Sequence, residues 1–264
     1  MSASTDMSAS TDKSASTDKA VPVIRFSEVH KSFGEKQILR GFSMELEKGR
    51  TLAIMGPSGV GKSVTLKHAI GILSPDAGSV EVFGQEICQA TRAELAEMRK
   101  RMGYVFQEGA LINWLSVGDN VALPLRENTD LEEDEIRERV QRRLELVHIP
   151  DAWELMPSEI SGGMKKRVGI ARALITDPEL ILYDEPNAGL DPEIARSINA
   201  LIRELQERLG VSSLVVEHRI DCIRTVADEV LFLDGGKAVI QAKPEEFFNS
   251  SHPRLARFFG KDSA

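Results

Sequence analysis

The stretch Leu52–Ser63, LAIMGPSGVGKS, runs an apolar segment straight into a glycine-rich octapeptide that ends in lysine and serine. Gly56–Ser63 fits G-x-x-x-x-G-K-[ST], and the setting is the one this motif needs: a strand pattern before it and a helical pattern after it, to about Ile72. Glycine lets backbone N–H groups approach a phosphate closely, and the start of a helix adds partial positive charge. Phosphate contact is therefore expected from Gly56, Pro57, Ser58, Gly59, Val60, Gly61, Lys62, Ser63 and Val64. Lys62 is expected to reach the β- and γ-phosphates, and the Ser63 hydroxyl to hold Mg²⁺.

Further along, Glu179–Pro186, ELILYDEP, is an apolar strand that ends in two acids. In an open α/β sheet the carboxyl ends of the strands border the ligand crevice, so acids belong there. Asp184 is expected to hold Mg²⁺ through its water shell. Glu185, one residue on, is expected to orient and deprotonate an attacking water.

Strand patterns also occur at Val23–Val29, Ser79–Phe83, Met102–Phe106, Leu180–Tyr183, Ser213–Glu217 and Glu229–Leu233. Between Gln107 and Leu174 the pattern is mostly helical. Thr129–Val147 is the clearest case, with Ile136, Val140, Leu144 and Val147 on one face and acids in the first turn. A further helix over Glu193–Leu209 repeats Ile194, Ile198, Leu201, Leu205 and Leu209. Strands alternating with helices imply a mainly parallel sheet covered on both faces.

The chain has 264 residues and a net charge of −8, which argues against general nucleic-acid binding and leaves room for local positive charge at a nucleotide. Cys88 and Cys222 lack metal-ligand spacing and read as reduced thiols. No apolar run approaches the roughly 18–20 residues of a membrane span. Residues 1–19 repeat the unit SASTD three times, and residues 1–20 are expected to form a disordered low-complexity tail, because nothing in them can offset the entropy of ordering.

A second anion-binding pattern lies at Pro157–Leu174, PSEISGGMKKRVGIARAL. Ser161 is placed to cap a basic helix, Gly162 and Gly163 leave its start open, and Met164, Val168, Ala171 and Ile175 form its apolar stripe. If Lys62 already holds this chain's triphosphate, a second γ-phosphate site needs nucleotide from another subunit. Two copies joined head to tail would each supply half of both sites.

SGGMKKRVGIARAL resembles the signature of the ATP-binding cassette (ABC) ATPases, and the other motifs agree with that family in order over roughly residues 21–245. The resemblance implies a P-loop NTPase (RecA-like) α/β core with an N-terminal antiparallel β subdomain. It further implies an inserted helical subdomain at about residues 108–176, a cassette over residues 21–250 and a C-terminal extension over residues 251–264. It implies ATP and Mg²⁺ as ligands. Gln107 in YVFQ resembles the glutamine that senses the γ-phosphate and Mg²⁺, and Asp191 in NAGLDP resembles the aspartate at the dimer seam. His218 in LVVEHRID resembles the switch histidine that contacts the γ-phosphate, and Phe33 in KSFG the ring against adenine. Two positions depart from the family pattern: Arg219 follows the histidine where aspartate is usual, with Glu217 before it, and Asn187 replaces the usual Thr or Ser.

A single cassette with a helical insert, lacking a visible coiled-coil or zinc insertion, is similar to a transporter motor more than to the DNA-repair or ribosomal branches. Phe106–Glu127, Leu155–Leu174, Leu180–Pro192 and Phe247–Gly260 together resemble the ATPases of phospholipid-trafficking MCE systems. These include the maintenance-of-lipid-asymmetry transporter of bacterial envelopes and chloroplast relatives. The implied partners are a second copy, a multi-span permease, an MCE-domain lipid-binding protein and a small regulatory domain protein. The implied place is the cytoplasmic face of the inner membrane, held there through the permease. Ala110–Leu125 would line a groove for the permease's coupling helix, although Leu111, Ile112, Trp114 and Leu115 could equally pack the helical subdomain. RLARFFG at Arg254–Gly260 would either cap a partner or fold onto its own subunit.

Overall fold

The apolar run before the glycine loop lies in the interior of a six-stranded sheet. The computed structural model describes residues 21–260, so the SASTD repeats and the last four residues of the C-terminal extension lie outside it. In chain order, β1 (Ile24–Phe33), β2 (Lys36–Leu46) and β3 (Thr51–Met55) lead into α1 (Lys62–Ala69). Next come β4 (Ala77–Val82), β5 (Gln85–Glu86), α2 (Arg92–Lys100) and β6 (Met102–Val105). Three helices follow, α3 (Val117–Asn128), α4 (Glu133–Leu146) and α5 (Gly162–Leu174). The chain then forms β7 (Leu180–Asp184), α6 (Pro192–Leu209), β8 (Ser212–Val216), α7 (Ile220–Val226) and β9 (Glu229–Asp234). It closes with β10 (Lys237–Ala242), α8 (Pro244–Asn249) and α9 (Pro253–Phe258).

The large sheet has the order β10-β9-β3-β8-β7-β6 and is parallel except at β10, which pairs antiparallel with β9. A parallel sheet is buried on both faces, which is why β3 and β8 are buried at every position. Alternate residues of β3 enter different cores. Leu52 and Ile54 join Phe26, Phe42 and Leu66, whereas Ala53 and Met55 join Phe232 and Phe247. On β7, Ile181 and Tyr183 face the core formed by the helical segment and α6.

The smaller sheet, in the order β2-β1-β4-β5, is antiparallel. Its β2 carries no clean alternation in sequence, and the structure gives the reason. Phe42, Met44 and Leu46 alternate, but the register shifts between Val29 and His30, which face Phe42 and Arg40, so β2 carries an extra residue at Gly41 and Leu39 turns inward three positions before Phe42. Helix α1 stops at Ala69, short of the expected Ile72, because the chain turns at Ile70–Gly71.

Within the helical segment, Ile136, Val140 and Leu144 of α4 are all buried, each contributing roughly 1.5–3 kcal/mol. The first turn of α4 carries Glu133, Asp134 and Glu135, and its last turn carries Arg143, the arrangement that suits a helix dipole. Of the apolar residues after Gln107, Leu111 packs against this helical core, while Trp114 is 80% exposed. The RLARFFG segment folds back on its own chain: Phe258 stacks 5.1 Å from Phe232 of β9, and Phe259 lies 5.7 Å from Phe248 of α8. Both cysteines are free, Cys88 exposed and Cys222 buried. Among the described residues, no helix is long and apolar enough to cross a membrane.

Candidate active site

The strand–loop–helix at β3–α1 builds the first half of the site. Gly61 takes φ 114° at the start of α1, a conformation open to glycine, and a Cβ there would fall 2.7 Å from Ile38 Cγ2. Among the described residues no side chain caps α1 and no acid sits in its first turn. The Val64 and Thr65 N–H groups turn back to Gly61 O at 3.0 and 3.2 Å, so an external anion would meet the N–H groups ahead of them. Lys62 is 7% exposed and its Nζ donates to the Gly56 and Pro57 carbonyls at 2.9 and 3.1 Å. Burial holds its pKa below the ordinary lysine value, against the opposing pull of Glu185, Glu217 and Asp184. A buried ammonium at the positive end of a helix is unfavourable by itself and becomes favourable beside an anion. A nucleotide's phosphates fit this donor set.

The acids arrive from β7. Ser63 Oγ donates to Asp184 Oδ1 at 2.8 Å, and Tyr104 on β6 donates its hydroxyl to Asp184 Oδ2 at 3.1 Å. Burial, and then Asp184, push the Tyr104 pKa up, so the phenol keeps its proton and remains a donor. Among the described residues, no three His, Cys, Asp or Glu side chains gather as a metal cluster. An ion held here would share the Ser63 and Asp184 oxygens with phosphate and water, the manner of binding that suits Mg²⁺. Glu185 follows at φ 46°, a strained conformation for a side-chain-bearing residue, with its N–H tied to Val216 O of β8 at 2.9 Å.

Phe33, Ile38, Ser58, Gly59, Gly61, Lys62, Ser63, Val64 and Glu185 line one groove. Phe33 is 48% exposed there, a flat apolar surface beside the phosphate loop. Val60 packs into the core under the loop, Gly56 is buried, and Pro57 turns to a neighbouring groove with Phe232, Arg254 and Phe258. His218 lies 3.9 Å from Glu185, measured from Nδ1 to Oε2, and half of its side chain is exposed.

The remaining expected residues stand apart from that groove. Ser161 caps α5 by accepting the Met164 N–H at 3.2 Å, and both Ser161 and Gly162 are exposed. Gly163 is buried where α5 meets α6, and a Cβ there would come 2.6 Å from Ile194 Cγ2. Asp191 caps α6, accepting the Glu193 and Ile194 N–H groups at 3.0 Å each. Gln107 is exposed, and its backbone carbonyl accepts from Lys166 Nζ.

Three residues of the site's framework were not read from the sequence. Tyr104 holds the second oxygen of Asp184. Lys166 and Arg172, both on α5, bind the backbone that follows β6. Arg172 donates to the Gly109 and Ala110 carbonyls at 2.7 and 2.8 Å. Lys166 is 4% exposed, and burial lowers its pKa. Its signal was present: Gly163, Lys166, Ile170 and Ala173 share a helical face, so a lysine stands on an apolar stripe and must find an acceptor inside.

The chain is similar to known proteins over most of its length. The family model described as "ABC transporter" matches residues 39–188. The intermembrane phospholipid transport system ATP-binding protein MlaF of Haemophilus influenzae is 41% identical over 230 residues, covering 87% of each chain. The probable ribonucleotide transport ATP-binding protein mkl of Mycobacterium leprae is 40% identical over 86% of this chain and 66% of its own length. Among solved structures, the ATP-binding cassette MJ0796, a dimer in a post-hydrolysis state bound to ADP and Pi, superposes with a TM-score of 0.76. It is 30% identical and covers 84% of this chain and 98% of that one.

Proposed function

The chain belongs to the ABC transporter family, and from that premise we propose that it drives phospholipid trafficking by closing and opening as an ATP-loaded pair. The coarser part is established by membership: the protein is the ATP-hydrolysing subunit of an ABC transporter. The cargo rests on one observation, the 41% identity to the Haemophilus phospholipid protein over nearly all of both chains. Another solute is the second reading, supported by the similar identity to the mycobacterial protein named for ribonucleotide transport.

In this proposal ATP lies in the groove over α1, with its base against Phe33 and its phosphates on the loop N–H groups and Lys62. Mg²⁺ supplies charge neutralisation on the phosphate oxygens, and Ser63, Asp184 and Gln107 would hold it. Glu185 takes the proton of the attacking water, positioned by its strained turn at the end of β7. Lys62 stabilises the charge that spreads over the transferring phosphoryl group. His218 contacts the γ-phosphate from the end of β8. Ser161–Gly163 of a second copy close over the same phosphate, with Asp191 at the seam; the exposure of Ser161 and Gly162 at the start of α5 supports this.

A multi-span permease would read the change through the segment after Gln107, where Trp114 is exposed. Through that permease the protein would sit at the cytoplasmic face of the inner membrane. An MCE-domain protein and a small regulatory domain protein complete the proposed assembly. The decisive experiment isolates the full chain with its membrane subunits and reconstitutes them in phospholipid vesicles. ATP-dependent movement of labelled phospholipid is expected. Movement of a ribonucleotide or amino acid in its place would assign the second reading, and isolation without any membrane protein would remove the transport role.

A further inference from the structure

Glu217, just past β8, is fully buried, and its Oε2 has no hydrogen-bond partner among the described residues. Its Oε1 carries all the contacts. It accepts the N–H of His218 at 2.8 Å and that of Arg219 at 3.2 Å, and it lies 3.3 Å from Nδ1 of the His218 ring. Accepting two backbone N–H groups needs only a neutral oxygen, which glutamine, serine or threonine would supply without burying a charge. A full carboxylate with one bare oxygen is an expensive way to hold a loop. Its charge therefore has another use.

The charged neighbours narrow that use. Lys62 from α1 and Lys166 from α5 lie within electrostatic reach, and Glu185 after β7 faces the same imidazole at 3.9 Å. Arg219 turns away, donating to the Leu190 carbonyl at 2.9 Å. Cys222 of α7, also buried, keeps its proton because burial and the Glu217 carboxylate raise its pKa. Among the described residues His218 is thus the one cation-capable ring in contact with Glu217, and it faces both Glu217 and the proposed base.

We propose that Glu217 is a positioning residue for the reaction: its buried charge holds the His218 ring and acts as counter-charge while the ring's far nitrogen donates to the γ-phosphate. The closer carboxylate claims the ring, so His218 does not lock onto Glu185, which stays free to take the water's proton. The arrangement is the one by which a buried acid orients a catalytic imidazole and stabilises its charged form. It rests on the reading of His218 as a phosphate contact.

The test measures steady-state ATP hydrolysis and thermal melting of the full chain with Glu217→Gln, His218→Ala and both changes together. Glutamine keeps an acceptor for the two backbone N–H groups and removes the charge. The expected result is a fall in kcat of about tenfold to a hundredfold with KM for ATP unchanged, no loss of Tm, and no further effect of Glu217→Gln once His218 is alanine. A purely structural residue would lower Tm and activity together. An unchanged kcat, a raised KM (which would assign the charge to Lys62), a loss additive to that of His218→Ala, or a lowered Tm overturns the proposal. If His218→Ala alone hydrolyses ATP at the wild-type rate, the reading of His218 beneath it falls.

Discussion

Helices α1 and α5 both begin at glycines, both lack an acid in the first turn, and they are finished in opposite ways. At α1 the start is uncapped, and the chain brings everything a phosphate needs to it: buried Lys62, the Ser63–Asp184 pair, Glu185 and the Phe33 ring. At α5 Ser161 caps one N–H, Ser161 and Gly162 face solvent, and neither shares the groove lined by the phosphate loop. In the proposed reading the α1 site is complete in what one chain supplies, and α5 is the open half offered to a second copy. The rest of α5 is turned inward, with Lys166 and Arg172 holding the Gln107–Ala110 backbone. Three hydrogen bonds thus join α5 to the segment that follows β6.

This contrast breaks most sharply at the chemistry of the complete site. Glu185→Gln is expected to lower ATP turnover on the order of 10²–10⁴-fold while leaving ATP binding intact, checked by a phosphate-release assay beside equilibrium nucleotide binding. Undiminished turnover would take the base role away from Glu185. The open half predicts a separation of a different kind. Ser161→Arg should bind ATP as a single chain with wild-type affinity and lose about 10²-fold in hydrolysis, with no ATP-induced pairing by light scattering. Full activity in that variant would mean that α5 contributes nothing to a phosphate.

The smallest expected effect sharpens the description of the complete site. Tyr104→Phe removes the donor to Asp184 Oδ2 and should weaken Mg²⁺ dependence by about tenfold, read as the Mg²⁺ concentration for half-maximal activity at saturating ATP. An unaltered Mg²⁺ requirement would make Tyr104 a packing residue alone.

The two helix starts also differ in how far they can be read in advance. The phosphate loop was legible because its parts are adjacent in the chain: strand, glycines, lysine and serine occur within Leu52–Ser63. The acids at Asp184 and Glu185 were legible because a buried strand can end in two carboxylates where its carboxyl end opens onto a polar crevice. Tyr104 was not, since its partner is 80 residues away and a tyrosine at a strand end carries no label of its own. Strand β2 escaped because a register shift breaks its alternation. The sequence also left two fates open for RLARFFG, and aromatic packing against β9 and α8 chose the intramolecular one.

Local chemistry in the sequence determined a glycine-rich loop between a strand and a helix, a pair of acids at a strand end and a second, serine-capped helix start. Such features depend on residues a few positions apart, whose geometry the backbone imposes directly. Tertiary structure alone decided which oxygen of Asp184 each hydroxyl takes, that Lys166 turns inward to a carbonyl, and that Glu217 is buried against the imidazole of its neighbour. The Asp184 and Lys166 contacts join elements far apart in the chain, and the burial of Glu217 depends on what packs around it; sheet order and helix packing, which no single segment encodes, decide both.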